Sequence, residues 1–343
     1  MGFWGIETPE EYGGANMPPT TQAIIKLELS KSFVPFKFGG WVHNILFSCN
    51  EDQKQRYLIP AVQGEKAVCF ALSEASSASD ATNMQTTAKK DGNDWIINGE
   101  KIWITGGHSA DFAIVFAAND KSKGAKGGIT AFLVDREMGW KSELIDTMVS
   151  NHEPATLIFD NVRVPEENVI GEVGYGFKYA MQFINHNRGY VIPAYSIGAA
   201  ERMLSMAVEY ANTRTSFGKP LAERQAIQWM IANSATDIEA AKGFLFRSAA
   251  LAEKEGSWKT GNDSNQFRTL SSMAKLYNAN MVNRVVDDVM QIFGGMGVTK
   301  ELPIERWYRN VRVYRIFEGS DEMLRRTIAK NLLNEKIKVG EIE

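Results

Sequence analysis

The sequence predicts an α+β protein in which an abbreviated helical N-terminal domain, a central antiparallel β-domain and a C-terminal helical bundle follow one another. Two changes in hydrophobic periodicity indicate this order. Apolar residues recur at helical spacing up to about residue 64, alternate with polar ones between 67 and 171, and return to three- and four-residue steps after 176. The 343 residues also exceed the usual size of a single hydrophobic core. We therefore expect three domains, at 1–66, 67–171 and 172–343.

The composition argues against several classes of protein. With 38 basic and 41 acidic residues the net charge is −3, and no basic stripe that would bind phosphates is present, so we expect no nucleic-acid partner. Cys49 and Cys69 cannot form a disulfide framework, and the four histidines lack the spacing of a metal site. Neither a membrane span nor a signal peptide is recognisable, which predicts a cytoplasmic protein, or one of the mitochondrial matrix if the chain is a truncated eukaryotic sequence.

The N-terminal zone begins with a loop, because prolines and glycines crowd into residues 9–19. Helical spacing follows from about residue 20 to 64. In the central zone the strongest local signal is 94–105, where Asn98-Gly99 stands between two alternating runs and predicts a tight hairpin turn. Further strands are expected at 112–117, 130–135, 156–159 and 162–164. No helices alternate with these strands, so a doubly wound sheet is not expected.

The C-terminal zone is helical. Apolar and small residues repeat at helical steps from Ile227 to Ala252 and from Met273 to Met290, which predicts two long amphipathic helices that pack on one another. Loops are expected at 218–220, 255–262 and 294–303, and the helices between them form an antiparallel bundle.

Several segments could bind a ligand, and each has a structural alternative. Trp103 and Thr105 share one face of a strand, which suits either packing inside a sheet or a wall for a planar heteroaromatic ring. The small residues of the 70–80 segment suit a close approach to phosphate or carbonyl oxygens, or a flexible surface loop. The 214–220 segment combines a cation with hydroxyls, as an anion site or a helix end does. The glycines of 291–297 lack the spacing of a nucleotide fingerprint.

Glu318 is the most suggestive carboxylate, because it lies between Ile316-Phe317 and Gly319. Desolvation by apolar neighbours would raise its pKa toward that of a general base, and Gly319 would let a substrate approach. Ser320 stands where the N-cap of the following helix is expected. The alternative is an ion pair of Glu318 with Arg312 or Arg315.

In their order, these segments resemble the acyl-CoA dehydrogenase family. The shared series covers nearly the whole chain: 9–14, 52–54, 70–80, 98–106, 159–165, 174–177, 214–218, 291–295 and 316–320. The resemblance implies an N-terminal helical domain, a β-domain and a C-terminal four-helix bundle, with FAD between the last two. It also implies a homotetramer built as a dimer of dimers, in which the cofactor site is shared by two subunits.

The resemblance assigns roles to individual residues. Cofactor contacts on the β-domain would be made by Phe70, Leu72, Ser73, Ser79, Trp103 and Thr105, the last reaching flavin N5. Those from the neighbouring subunit would be made by Arg214, Ser216, Phe217, Gln225, Gln291, Gly294 and Gly295. Ser320 and Glu322 would also lie on the cofactor. Substrate contacts would be made by Ser79, Asn185, Arg188 and Gly319.

The implied reaction is the α,β-dehydrogenation of an acyl-CoA thioester to the trans-2-enoyl-CoA. Glu318 would remove the α-proton, flavin N5 would take the β-hydride, and an electron-transfer flavoprotein would accept the electrons. In some branches the base precedes an arginine on a bundle helix, and the matching Asn187 cannot accept that proton, which favours Glu318. The alternatives are a same-fold oxidase or flavin monooxygenase, and a non-catalytic or cofactor-impaired scaffold.

Two departures from the family pattern stand out. Ala75-Ser76-Ser77-Ala78 replaces the Pro-Gly-Ala-Gly usual in relatives, so Cβ atoms stand where glycine allows close approach. The chain also begins directly at the Pro-Glu-Glu-Tyr-Gly-Gly loop, without the opening helices of most members, which predicts a truncated chain or a shortened first domain. A helix with Phe33, Phe36, Phe38 and Trp41 would border the acyl pocket.

Overall fold

The N-terminal zone is helical, as predicted. The computed structural model describes residues 4–32, 42–149 and 153–342, so the aromatic residues expected beside an acyl pocket, at 33–41, lie outside the described residues. Helix α1 spans Pro19–Ser30, and α2 (Glu51–Gln53) continues through a π-helical stretch, Lys54–Leu58, into α3 (Ile59–Gln63). A capping box between Asn50 and Gln53 starts α2, and Gln53 Nε2 also donates to the carbonyls of Glu167 and Val169. This side chain fastens the helical zone to the β-domain.

The β-domain is a seven-stranded sheet, whose strands are β1 (Val68–Ala71), β2 (Thr87–Asp91), β3 (Asp94–Thr105), β4 (Phe112–Ala118), β5 (Ile129–Asp135), β6 (Lys141–Leu144) and β7 (Pro154–Pro165). Their order in the sheet is β1-β4-β2-β3-β7-β6, and β5 pairs with β4. Most pairs are antiparallel, as predicted, but β4 runs parallel to β1 and, at one residue pair, to β2. Strands β1 and β2 therefore run in the same direction, which the long connection between them, 72–86, permits.

The predicted hairpin at Asn98-Gly99 is wrong. These residues lie within β3, which pairs with β2 on one side and with β7 on the other. A register shift occurs at this point, and a Cβ on Gly99 would come within 2.6 Å of Thr86, so the glycine permits a close approach of two strands. The tight turn is instead at Gly92-Asn93, between β2 and β3, where Gly92 has φ +61°.

The strands expected at 156–159 and 162–164 are likewise one strand, β7. Asn161 has φ +52° opposite the irregularity in β3, and its backbone N–H donates to Asn98 Oδ1 at 2.8 Å. Pairing along both strands therefore prevails over the turn propensity of the two asparagines, and each asparagine serves a bulge instead of a chain reversal.

The C-terminal zone contains α4 (Gly176–His186), which passes through a π-helical stretch, Asn187–Val191, into α5 (Ile192–Thr213). A two-stranded hairpin, β8 (Thr215–Ser216) and β9 (Lys219–Pro220), leads to α6 (Gln225–Glu255). Then follow α7 (Ser257–Thr260), α8 (Asn265–Phe293), α9 (Ile304–Arg312) and α10 (Asp321–Leu333). The two long helices predicted from periodicity are α6 and α8, and both are confirmed.

Helices α5, α6 and α8 pack on one another around a core of alanine, valine and leucine side chains, and α10 lies against α8. The N-terminal segment is tied to this bundle through Glu7, whose carboxylate lies 2.9 Å from both Lys26 Nζ and His186 Nε2. Within the described part of the chain, no helix combines the length and apolar character needed to cross a membrane. The predicted boundaries at 66/67 and 171/172 fall between α3 and β1 and between β7 and α4.

Candidate active site

Glu318 lies in the loop that joins α9 to α10. A 3₁₀ turn, Val313–Arg315, follows α9, and Glu318 and Gly319 then adopt positive φ values of +53° and +90°. Ser320 is the N-cap of α10, as predicted, and its hydroxyl accepts a hydrogen bond from the N–H of Met323. A left-handed conformation at a glutamate is unfavourable by about 1–3 kcal/mol, so the surrounding contacts must hold it.

The Glu318 carboxylate has one bonded and one unbonded oxygen. Oε1 accepts a hydrogen bond from Asn187 Nδ2 at 3.3 Å, whereas Oε2 is buried and has no hydrogen-bond partner among the described residues. Burial raises the pKa of Glu318 to about 7, although Arg188, Asn187 and Lys275 favour its ionised form. A carboxylate that is partly ionised at neutral pH and has an unbonded oxygen can accept a proton.

The ion pair considered as an alternative for Glu318 does not form with Arg315. Arg315 Nε donates to Asp321 Oδ2 at 2.8 Å instead. The raised pKa has the predicted direction, but its predicted source is only partly correct, because Ile316 is exposed. The surroundings that desolvate the carboxylate come from the bundle, which a local sequence window does not reveal.

Arg188 and Gly319, expected at the substrate, are brought together by the structure. Arg188 is buried in the π-helical stretch after α4, and its Nε donates to the carbonyl oxygen of Glu318. A Cβ on Gly319 would lie 2.3 Å from a terminal nitrogen of the Arg188 guanidinium. Glycine is therefore required here both by its positive φ and by the arginine. Asn185, one turn earlier, donates to Asp263 Oδ2 at 2.8 Å, and burial raises the pKa of Asp263.

The β-domain presents Trp103 and Thr105 on its surface. A register shift between Lys101 and Ile104 gives Trp103 a φ of +62°, and its side chain is 54% exposed, whereas Ile104 is buried. Thr105 is also exposed. Packing inside the sheet, the alternative for Trp103, is therefore wrong. An accessible indole beside a hydroxyl fits the planar heteroaromatic ring of a flavin.

The small-residue loop after β1 is held by a buried ion pair that the sequence analysis missed. Glu74 and Lys101 are both buried, with 2.7 Å between Oε1 and Nζ, and Lys101 also donates to the carbonyl of Leu72. The backbone N–H groups of Gln85 and Thr86 donate to the Glu74 carboxylate. This pair joins both ends of the loop to β3, two residues before Trp103. The sequence signal for this ion pair was Lys101, a lysine within a strand in which apolar and polar residues alternate.

Other residues of this loop fit a cofactor or substrate contact in different ways. Ser77, in place of the alanine usual in relatives, is buried with its hydroxyl 3.4 Å from Glu74 Oε2, whereas Ser76 and Ala78, in place of the two glycines, are exposed. Ser79 is exposed and Ser73 is half-buried. Phe70 and Leu72 belong to the core, where Phe70 contacts Phe183 with 4.7 Å between ring centroids. Leu72 is buried, so only its backbone could meet a cofactor, whereas Phe70 is partly exposed.

A second group of predicted cofactor residues lies together at one end of the bundle. Tyr210, near the end of α5, stacks on Phe293, at the end of α8, with 4.3 Å between the rings. The β8–β9 hairpin with Ser216 and Phe217, the start of α6 and the turn after α8 therefore share this end. The exposed predicted residues here are Arg214, Phe217, Gln225, Gln291, Gly294 and Gly295. Phe217, at the hairpin tip, is 98% exposed.

This group does not meet Glu318 within one chain. Lys275 of α8 contacts the Glu318 loop, and Gln291 lies 16 residues further along the same helix. At 1.5 Å per residue this separation is about 24 Å. Ser320 and the exposed Glu322, in contrast, directly follow the Glu318 loop. The predicted cofactor residues thus form two separate sets on one subunit.

Metal and thiol chemistry find no support in the described ranges. No group of three or more His, Cys, Asp or Glu side chains could hold a metal ion there. Burial raises the pKa of both Cys49 and Cys69 to about 12, so their thiols are poor nucleophiles at neutral pH.

Known proteins match nearly the whole length of the chain. Three family models match successive parts of the chain: the acyl-CoA dehydrogenase N-terminal domain at 1–65, the middle domain at 69–162 and the C-terminal domain at 174–333. The mitochondrial short-chain specific acyl-CoA dehydrogenase of Mus musculus is 36% identical, over 97% of this chain and 80% of its own length.

Two solved structures are similar along nearly the whole chain. Butyryl-CoA dehydrogenase from Megasphaera elsdenii has a TM-score of 0.86 at 32% identity and covers 97% of this chain and 87% of its own. A structure described as an electron transferring flavoprotein of Acidaminococcus fermentans has a TM-score of 0.85 at 35% identity, with the same coverage. The chain belongs to the acyl-CoA dehydrogenase family, whose members are FAD-dependent oxidoreductases.

Proposed function

We propose that this protein oxidises an acyl-CoA thioester between its α and β carbons, with Glu318 as the base that removes the α-proton. The observation that supports this most directly is the Glu318 carboxylate, whose Oε2 is buried without a hydrogen-bond partner in the described residues and whose pKa is about 7. A base with a pKa near the working pH is ionised often enough to act and basic enough to accept a proton.

The surrounding side chains keep this carboxylate in one arrangement. Asn187 Nδ2 donates to Oε1 of Glu318, which leaves Oε2 for the proton. Arg188 donates to the backbone carbonyl of Glu318. An acid at position 187 would place two carboxylates side by side, whereas the asparagine donates a hydrogen bond to the base. We expect the backbone N–H of Glu318 to donate to the thioester carbonyl, where negative charge develops as the proton leaves.

FAD, when bound, supplies the acceptor for the hydride that leaves the β-carbon. Trp103, Thr105 and the backbone of 70–79 would hold the flavin ring from the β-domain. The set at the end of the bundle, which includes Arg214, Phe217 and the 291–295 turn, lies about 24 Å from the Glu318 loop along α8. We infer that this set serves the cofactor of a second subunit and that the protein is a homotetramer, built as a dimer of dimers.

We propose short acyl-CoA esters as the first substrates and an electron-transfer flavoprotein as the electron acceptor. The relatives named above include a short-chain specific enzyme and a butyryl-CoA dehydrogenase, and one similar structure is described as an electron transferring flavoprotein. The Glu74–Lys101 pair holds the altered loop in place although the glycines usual in relatives are absent.

Anaerobic mixing of the purified holoenzyme with butyryl-CoA tests the proposal. We expect the visible flavin absorbance to bleach, the product to be the 2-enoyl-CoA, and air to restore the colour slowly. Fast reoxidation by air would indicate an oxidase instead. A protein that carries FAD but is not bleached by short, branched, long or aromatic acyl-CoA esters would contradict the proposed function, and a protein without flavin would favour the scaffold.

A further inference from the structure

Lys275 is a buried cation beside the base. It lies on α8, its side chain is fully buried, and its Nζ donates to the carbonyl oxygen of Gly319 at 2.8 Å. Among the described residues Lys275 forms no ion pair within 4.0 Å, although the charges of Asp321, Glu318 and Glu322 act on it. The sequence analysis did not identify it, since it sits among residues of a regular buried helix.

A buried ammonium group with a single neutral acceptor is unfavourable for folding unless its surroundings compensate. Asp321 contributes the largest compensating charge, but it forms no ion pair with Lys275, and its Oδ2 accepts hydrogen bonds from Arg315 at 2.8 Å and from Asn280 at 3.0 Å. Burial accordingly lowers the pKa of Lys275 to about 8. A methionine at this position would be buried at a lower cost in free energy, so stability alone does not explain the lysine.

The position of Lys275 is better explained by the loop that it contacts. The carbonyl of Glu318 accepts a hydrogen bond from Arg188, and the next carbonyl, that of Gly319, accepts one from Lys275. The two cationic groups come from different helical elements and bind successive peptide groups. These are the two residues with positive φ, so the hydrogen bonds hold the backbone in the conformation that turns the Glu318 side chain into the bundle.

We propose that Lys275 is a positioning residue for the catalytic base, holding the Glu318–Gly319 turn and favouring the ionised carboxylate through its buried positive charge. The inference rests on the proposed function of Glu318. The groups that face this pair are Arg188 from the π-helical stretch, Asp321 and Glu322 from α10, and Asn187. Arg188 acts in the same direction as Lys275 on Glu318, whereas the two acids of α10 favour the charged lysine.

Two substitutions separate the hydrogen bond from the charge. Lys275→Met removes both, while Lys275→Gln removes the charge but keeps an N–H donor on a side chain that is one atom shorter. Lys242→Met is the matched control, since Lys242 is a partly exposed lysine of α6 that pairs with Glu201 and Glu239. All variants are compared as FAD-loaded protein, together with Glu318→Gln.

The first readout is the pH dependence of the bound flavin's visible spectrum, which requires no substrate. The spectral transition that Glu318→Gln abolishes belongs to Glu318. We expect both Lys275 variants to move the midpoint of this transition upward by about one pH unit, because loss of a nearby buried positive charge disfavours the ionised carboxylate. The second readout is anaerobic flavin reduction by butyryl-CoA. Its limiting rate above the midpoint should fall about tenfold in Lys275→Met and less in Lys275→Gln.

Unchanged midpoints in both variants would overturn the inference, as would a wild-type spectrum without a transition that depends on Glu318. Loss of FAD or of folding in both variants would also overturn it, in favour of a role in stability alone. If the wild type shows the transition but is not reduced by any acyl-CoA, the proposed function fails while the spectral test of Lys275 still stands.

Discussion

Replacement of Glu318 by glutamine tests the central chemical argument. The amide preserves the shape of the side chain, and its oxygen can still accept the hydrogen bond from Asn187 Nδ2. Arg188 and Lys275 bind backbone carbonyls of the loop, which the substitution does not alter. Because the pKa of Glu318 is about 7, the native group is already partly neutral near neutral pH. Since burial has raised this pKa from 4.5, the ionised form is disfavoured in the folded protein, and we expect the neutral amide to raise the free energy of unfolding, by up to about 3 kcal/mol at pH 7.

The reaction, in contrast, should be slowed, because an amide cannot accept the α-proton. A positioned general base contributes about 10²–10⁴-fold to the rate. Loss of this contribution raises the barrier by about 3–5 kcal/mol. The substitution removes Oε2 as a proton acceptor and changes little else, so the whole loss should appear in the rate of flavin reduction and not in FAD content.

Anaerobic stopped-flow measurement of flavin bleaching by butyryl-CoA provides the assay, with thermal unfolding and FAD absorbance as checks of the fold. Glu253→Gln, at an exposed position of α6, is the matched control and should reduce at the wild-type rate. Flavin reduction within about threefold of wild type in Glu318→Gln would refute the reasoning, since the base would then lie elsewhere.

Three further predictions follow from the same contacts. The limiting rate of flavin reduction should rise with pH through a midpoint of about 7 and level off above it, because the base acts as the carboxylate; a pH series in stopped flow measures this, and a rate that falls over that range would contradict it. Lys101→Met leaves the buried Glu74 carboxylate unpaired and should lower the free energy of unfolding by about 3–5 kcal/mol. Denaturant unfolding measures this loss. The double variant Lys101→Met with Glu74→Gln should recover part of the lost free energy of unfolding. Thr105→Val should alter the spectrum and the reduction potential of the bound flavin, and an unchanged spectrum would count against contact with N5.

The long helices show which features local sequence predicts well. The periodicity of 227–252 and 273–290 placed α6 and α8, and Ser320 was recognised as the N-cap of α10. These features depend on residues within a few turns of one another. The hairpin predicted at Asn98-Gly99 is wrong, because the turn propensity of these two residues competes with pairing of their strand to β2 and β7. The Asp91-Gly92-Asn93 turn carried a comparable local signal and was overlooked.

The candidate site shows the same division. Glu318 was identified from its apolar neighbours and its family motif, yet the groups that surround it, Asn187, Arg188 and Lys275, come from helices 40 or more residues away. Lys101 and Glu74, which hold the loop expected at the cofactor, likewise pair across 27 residues. No local window could show that these lysines are buried, since burial is decided only when the elements pack.

By itself the sequence determined the order of helical and β zones and the family, and it singled out Glu318 as the candidate base, because these depend on periodicity and on motifs read in order. The tertiary structure decided which strands pair, which oxygen of Glu318 keeps no hydrogen-bond partner in the described residues, and which cations hold its loop. The physical reason is that desolvation and Coulomb interactions act between groups that become neighbours only after folding, so their strength is not encoded at any one position of the chain.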